Sequence, residues 1–167
     1  MLSLILRIFL LFQTHEICLA AIKKSIYSLR YVKKQTMQLC LEAIKLYPKS
    51  YTFKLIKFNT TEFYLEVLKQ NGLMIKFIKQ TEQLCLQAVK QNGLAIQFLK
   101  EYSNNICLES VKQNGLALEF IDSIRQSNDL CLNAVKQNGY ALKFVCKQSN
   151  EICLEAVKQN GLMLQYV

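Results

Sequence analysis

The chain has 167 residues, 51% of them hydrophobic and 20% charged, and its single proline and five glycines leave no stretch with the composition of a flexible linker. A formal net charge of +9 favours encounter with phosphates, anionic headgroups or acidic proteins without specifying an activity. One histidine and seven cysteines, with no Cys-x-x-Cys pair among them, give a Cys/His zinc site little support.

The first segment, MLSLILRIFLLF, admits two readings. Ile5 to Phe12 match the second helix of a preceding repeat, which makes 1–13 a partial repeat and starts the chain mid-array. The alternative is a signal peptide over 1–20, with Ala20 ending the cleavage site. The segment has no positive charge before Arg7, it is too short for a bilayer core of ~30 Å, and cutting at Ala20 would destroy the unit that follows. The partial repeat is therefore the expectation, with no transmembrane span.

From residue 14 onward one pattern recurs. Cys18, Cys40, Cys85, Cys107, Cys131 and Cys153 share one position, filled by Tyr64 in the third unit, at spacings of 21 to 24 residues. Leu19, Leu41, Leu65, Leu86, Leu108, Leu132 and Leu154 follow directly, and four residues later stands a lysine every time. Seven units result, over about 14–35, 36–59, 60–80, 81–102, 103–126, 127–148 and 149–167. Extra residues fall between helices, at Pro48 to Ser50 and at Asp122 to Ser127.

In the last unit, Ser149 or Asn150 caps a helix whose Ile152, Cys153, Leu154, Ala156 and Val157 lie on one side at about 100° per residue. Glu151, Glu155, Lys158 and Gln159 lie on the other. Gly161 reads as a stop in left-handed conformation, as do Gly72, Gly93, Gly115 and Gly139. A second, shorter apolar segment follows, α or 3₁₀. Two such short helices cannot bury their apolar faces alone, so neighbours must stack. The predicted fold class is all-α: two-helix repeats of about 22 residues stacked as an α-solenoid, in a single array over 1–167.

The stretches CLEAVKQNGLMLQYV, CLQAVKQNGLAIQFL and CLNAVKQNGYALKFV resemble an uncharacterised tandem-repeat family, a domain of unknown function found in giant-virus and protist proteins. The resemblance implies the repeat fold and a viral or protist origin. It brings no catalytic residues. Pro48 and Ile26 stand where the family pattern has glycine.

Chemistry is sparse. No Ser/His/Asp or Cys/His set, no glycine-rich phosphate loop and no convergent carboxylates are present, so the chain is read as non-enzymatic with no cofactor. The six in-register cysteines are expected as small buried thiols, about one helix spacing apart and out of disulfide reach, which suits a reducing, cytoplasmic compartment. Cys146 is the accessible exception. Asn71, Asn92, Asn114, Asn138 and Asn160 are expected to satisfy backbone groups at helix ends as a ladder along the stack. Tyr31, Phe77, Phe98, Phe120, Phe144 and Tyr166 are expected to form a core column.

That leaves a lysine ladder facing water: Lys23, Lys45, Lys69, Lys90, Lys112, Lys136 and Lys158. Of these, Lys69, Lys90, Lys112, Lys136 and Lys158 are the candidate binding residues. The function expected is a protein–protein interaction scaffold. The alternatives are a nucleic-acid-binding array using the ladder, or an inactive fragment of a longer repeat protein. End-to-end self-association is a further expectation, because the terminal segments are apolar.

Overall fold

The structure, a computed structural model, describes residues 13–167, and no strand occurs among them. The partial-repeat and signal-peptide readings of the N-terminus lie outside the described residues. Every repeat pairs a ten-residue helix with a six-residue one, beginning with His15–Lys24 and Ile26–Tyr31 and ending with Asn150–Gln159 and Gly161–Tyr166. Each long helix starts where a Ser or Thr hydroxyl accepts a backbone N–H three residues on, as Thr14, Thr36, Thr81, Ser103, Ser127 and Ser149 do. Small and aliphatic side chains fill the buried face, with Leu84, Cys85, Ala88 and Val89 as one example.

The second helix is 3₁₀ in six repeats and α only in Ser50–Leu55. With three residues per turn, side chains at i and i+3 eclipse one another. The apolar spacing matches that period: Ile26, Leu29 and Val32 are buried, as are Gly93, Ile96 and Leu99.

The described residues divide into two compact units, 13–67 and 68–167. In the first, a cluster of Cys18, Ile22, Ile26, Leu29, Val32, Leu39 and Ala43 forms the core. Pro48 and Lys49 lie in a lengthened link, and Ser50 heads the second helix. The hydroxyl of Tyr47 donates to the Lys23 carbonyl at 3.1 Å, and the rings of Tyr27 and Tyr51 stack at 6.1 Å.

In the second unit the joints are uniform. The backbone N–H of Gly72, Gly93, Gly115 and Gly139 donates to Oε1 of Gln91, Gln113, Gln137 and Gln159 in the following repeat, at 2.5–2.8 Å. None of the five glycines has a positive φ, which corrects the left-handed stop expected from sequence. Close approach is the reason for glycine instead: a Cβ on Gly72, Gly93 or Gly115 would overlap the carbonyl oxygen of Ala88, Ser110 or Ala134. At Gly139 the Ala156 carbonyl is 3.3 Å from such a Cβ, and at Gly161 nothing lies within 4 Å.

The asparagines satisfy backbone groups at helix ends, as expected, but within their own repeats rather than as a ladder, although Asn160 Nδ2 also donates to the Tyr140 hydroxyl of the preceding repeat at 3.3 Å. Oδ1 of Asn71, Asn92, Asn114, Asn138 and Asn160 accepts the N–H two residues on, opening the 3₁₀ helix of its own repeat. The ladder belongs to glutamine.

Candidate interaction surfaces

A second set of glutamines fixes the segments that link one repeat to the next. Gln80 donates to the Phe98 carbonyl at 2.8 Å and accepts the Lys100 N–H at 2.9 Å. Gln126 treats Phe144 and Cys146 in the same way. In the first unit Gln13 bridges Tyr31 and Lys33, and Gln35 bridges Leu55 and Lys57. Consecutive links are thereby held side by side, each planar amide joining two strands of backbone. Sequence reading missed both glutamine sets, although their constant places, directly before Asn-Gly and directly before the capping Ser or Thr, were the available signal.

The lysine ladder lies on the long helices. Lys23, Lys45, Lys69, Lys90, Lys112, Lys136 and Lys158 are all exposed, and Lys112 Nζ meets Glu109 Oε1 at 3.5 Å within one helix. Such a pair contributes only ~0.2–0.5 kcal/mol, so this face is governed by solvent.

The aromatic column is not core. Tyr31 is 76% exposed, and Phe77, Phe98, Phe120, Phe144 and Tyr166 are only half-buried. The correction has a geometric cause: the buried rows of the 3₁₀ helix are taken by small and aliphatic residues such as Ala95 and Ile96, which turns the ring at its C-terminal end outward. Cations then settle on the rings. Lys76 Nζ lies 5.0 Å from the Phe77 centroid and 5.1 Å from that of Phe98, and Lys143 Nζ lies 4.5 Å from Tyr166. The guanidinium of Arg125 sits 5.3 Å above Tyr102.

Both units are concave at their linking segments. In the second, a groove of about 950 Å³ is lined by Lys76, Lys79, Lys100 and Arg125 together with Phe77 and Tyr102. Three carboxylates share it, those of Glu82, Glu101 and Asp122. Ser103 Oγ donates to Glu82 at 2.6 Å, and the Tyr102 hydroxyl stands 3.5 Å from Asp122. In the first unit a groove of about 300 Å³ lies between Lys33, Lys34, Lys57, Gln35 and Phe58. Lys33, Lys57, Lys79 and Lys100 each stand two residues after the end of the second helix, directly behind its C-cap residue.

Five of the in-register cysteines are buried, Cys153 is half-buried and Cys146 exposed; all seven are free thiols. Burial pushes the thiols of Cys40 and Cys85 up to about 11 and also raises those of Cys18, Cys107 and Cys131. A thiol that stays protonated fills space and does not attack. Among the described residues no three His, Cys, Asp or Glu side chains converge as a metal set, and no helix is long and apolar enough to cross a membrane.

A family model for a domain of unknown function, DUF4116, matches residues 60–102 and 104–149. No curated protein and no solved structure matches the chain.

Proposed function

The chain belongs to the DUF4116 family, and from that premise we propose that it is a non-enzymatic protein–protein interaction scaffold built of helical repeats. The supporting observation is how its polar side chains are employed. The glutamines and asparagines that carry directional hydrogen bonds are engaged in joining repeats and capping helices, as Gln91 and Asn92 are, while charged side chains recur at fixed repeat positions on the outside. Periodic, outward-facing charge on a stack of near-identical modules suits recognition of an elongated partner.

The same lysines supply the rival reading, nucleic-acid binding. Neutralising several phosphates at once would make affinity fall steeply with salt, with a logarithmic slope of about −0.9 per contact on duplex and −0.7 on single strands. The test is affinity capture from the native cell with and without nuclease, using the wild type and a variant with Lys90, Lys112 and Lys136 changed to Glu. A nuclease-resistant, saturable protein partner is the expected result. Nucleic-acid binding that survives physiological salt and disappears in the triple variant would replace the scaffold reading.

A further inference from the structure

We infer that each linking-segment groove, rather than the helix-borne lysine ladder, is where the partner binds, and that what a groove accepts is an extended acidic peptide with two carboxylates three residues apart. The inference rests on the scaffold reading and specifies the site and the chemistry of what it binds.

Concavity and charge coincide in both units. Lys33 and Lys57 line the groove of the first, Lys79 and Lys100 that of the second, each lysine standing at the same place after its second helix, a place taken by Asp122 and Cys146 in repeats five and six. All four are exposed. The ladder lysines on the long helices are exposed as well but line neither of these two grooves.

The charge pattern separates a peptide from a nucleic acid. Glu82, Glu101 and Asp122 lie among the four cations of the larger groove, so a uniformly anionic phosphate chain would meet repulsion at three places. A peptide can set neutral or cationic side chains against those carboxylates. Ring faces matter equally, because base stacking needs them open. Here one face of Tyr102 carries Arg125, and Lys76 lies against both Phe77 and Phe98. Cations seated on rings are already directed and partly desolvated, an arrangement suited to accepting carboxylates.

Spacing follows from the fold. Neighbouring repeats stack at helix separations of ~8–10 Å, which places successive link lysines about that far apart. An extended peptide advances ~3.3 Å per residue, so three residues cover one repeat.

The experiment uses the full chain at physiological salt and reads fluorescence anisotropy of labelled synthetic probes. One is a peptide of about a dozen residues with two Glu three residues apart among Ser and Gly. The second has the same composition with its glutamates in one block, and the third is an oligothymidylate of equal length. The spaced peptide is expected to bind at least about tenfold tighter than the blocked one. Changing Lys79 and Lys100 together to Glu, with helicity verified by circular dichroism, is expected to weaken it about tenfold or more, whereas changing Lys90 and Lys112 is not. Equal binding of the two peptides, or loss with the Lys90 and Lys112 pair instead, would overturn the assignment. So would an oligothymidylate that binds tighter than the spaced peptide and is lost with Lys79 and Lys100. Should the Lys79 and Lys100 variant still capture the native partner, the groove assignment fails while the scaffold reading stands.

Discussion

Repeats one and two make their joint with an isoleucine and a tyrosine, whereas from the third repeat onward the joint is a glycine and a glutamine. In the first unit Ile26, 4% exposed, fills the place that glycine takes elsewhere, and the next repeat answers with Leu46 and Tyr47 rather than Gln-Asn. Tyr47 reaches the Lys23 carbonyl, and Gln159 makes the corresponding bond to the Lys136 carbonyl at 2.9 Å. One joint is closed by apolar volume and one phenol. The other is closed by bringing backbone against backbone and satisfying the exposed N–H with an amide. The same fold accepts either.

Exchanging the two solutions should therefore fail in both directions. Ile26→Gly removes a buried side chain with no glutamine opposite to use the space, and a loss of roughly 2–5 kcal/mol is expected in urea denaturation. A stability unchanged within error would show that the first unit does not depend on that volume. The reverse change, Gly115→Val, drives a branched side chain into the Ala134 carbonyl and displaces Gln137, with about 1–3 kcal/mol expected to be lost. If Gly115→Val were neutral, the backbone approach could not be what demands glycine.

A third effect is common to both units. Cys40 in one and Cys85 in the other have thiols raised to about 11 by burial, so the folded state retains protons that the unfolded state releases near 9. Their contribution is fully present below pH 9 and is lost as pH rises toward 11, with on the order of 1 kcal/mol per thiol expected. Denaturation midpoints measured from pH 8 to 11 test this, and the Cys85→Ala variant should show a shallower decline. The smallest effect is expected at Gly161, where an added methyl group would meet no atom within 4 Å. Gly161→Ala should be neutral or stabilise by up to about 0.4–1 kcal/mol through the unfolded chain. A loss comparable to that of Gly115→Val would mean that glycine is needed for the helix start itself and not for the joint.

Much of this architecture is legible in the sequence. Fixed landmarks such as Cys107, Leu108 and Lys112 set the register, and caps such as Ser103 set the helix starts. The lysine ladder faces water, as its place on the helical wheel implies. What the sequence does not disclose depends on neighbours that are distant along the chain. Gly115 carries no mark distinguishing a turn from a contact, since its neighbour Ala134 belongs to the next repeat. Gln137 reads as a surface residue on a helical wheel because its partner is likewise one repeat away. Phe98 misleads because it belongs to a segment, Leu94 to Leu99, that is apolar apart from Gln97, while the 3₁₀ helix turns Ala95, Ile96 and Leu99 inward. The grooves arise where separate links lie side by side, and a single repeat does not contain one.

The recurring glycine–glutamine joint also bears on how such an array can change length. Gly93 meets Gln113, and Gly115 meets Gln137, through the same atoms. An in-frame loss of residues 94–115 would bring Gly93 to Leu116 in sequence and to Gln137 in space, rebuilding the joint from parts already proven in it. Duplication of the same stretch would add one joint of the same composition. Recombination between neighbouring copies can thus lengthen or shorten the second unit by whole modules without inventing a contact, whereas the isoleucine–tyrosine joint, present once among the described residues, has no second copy to exchange with.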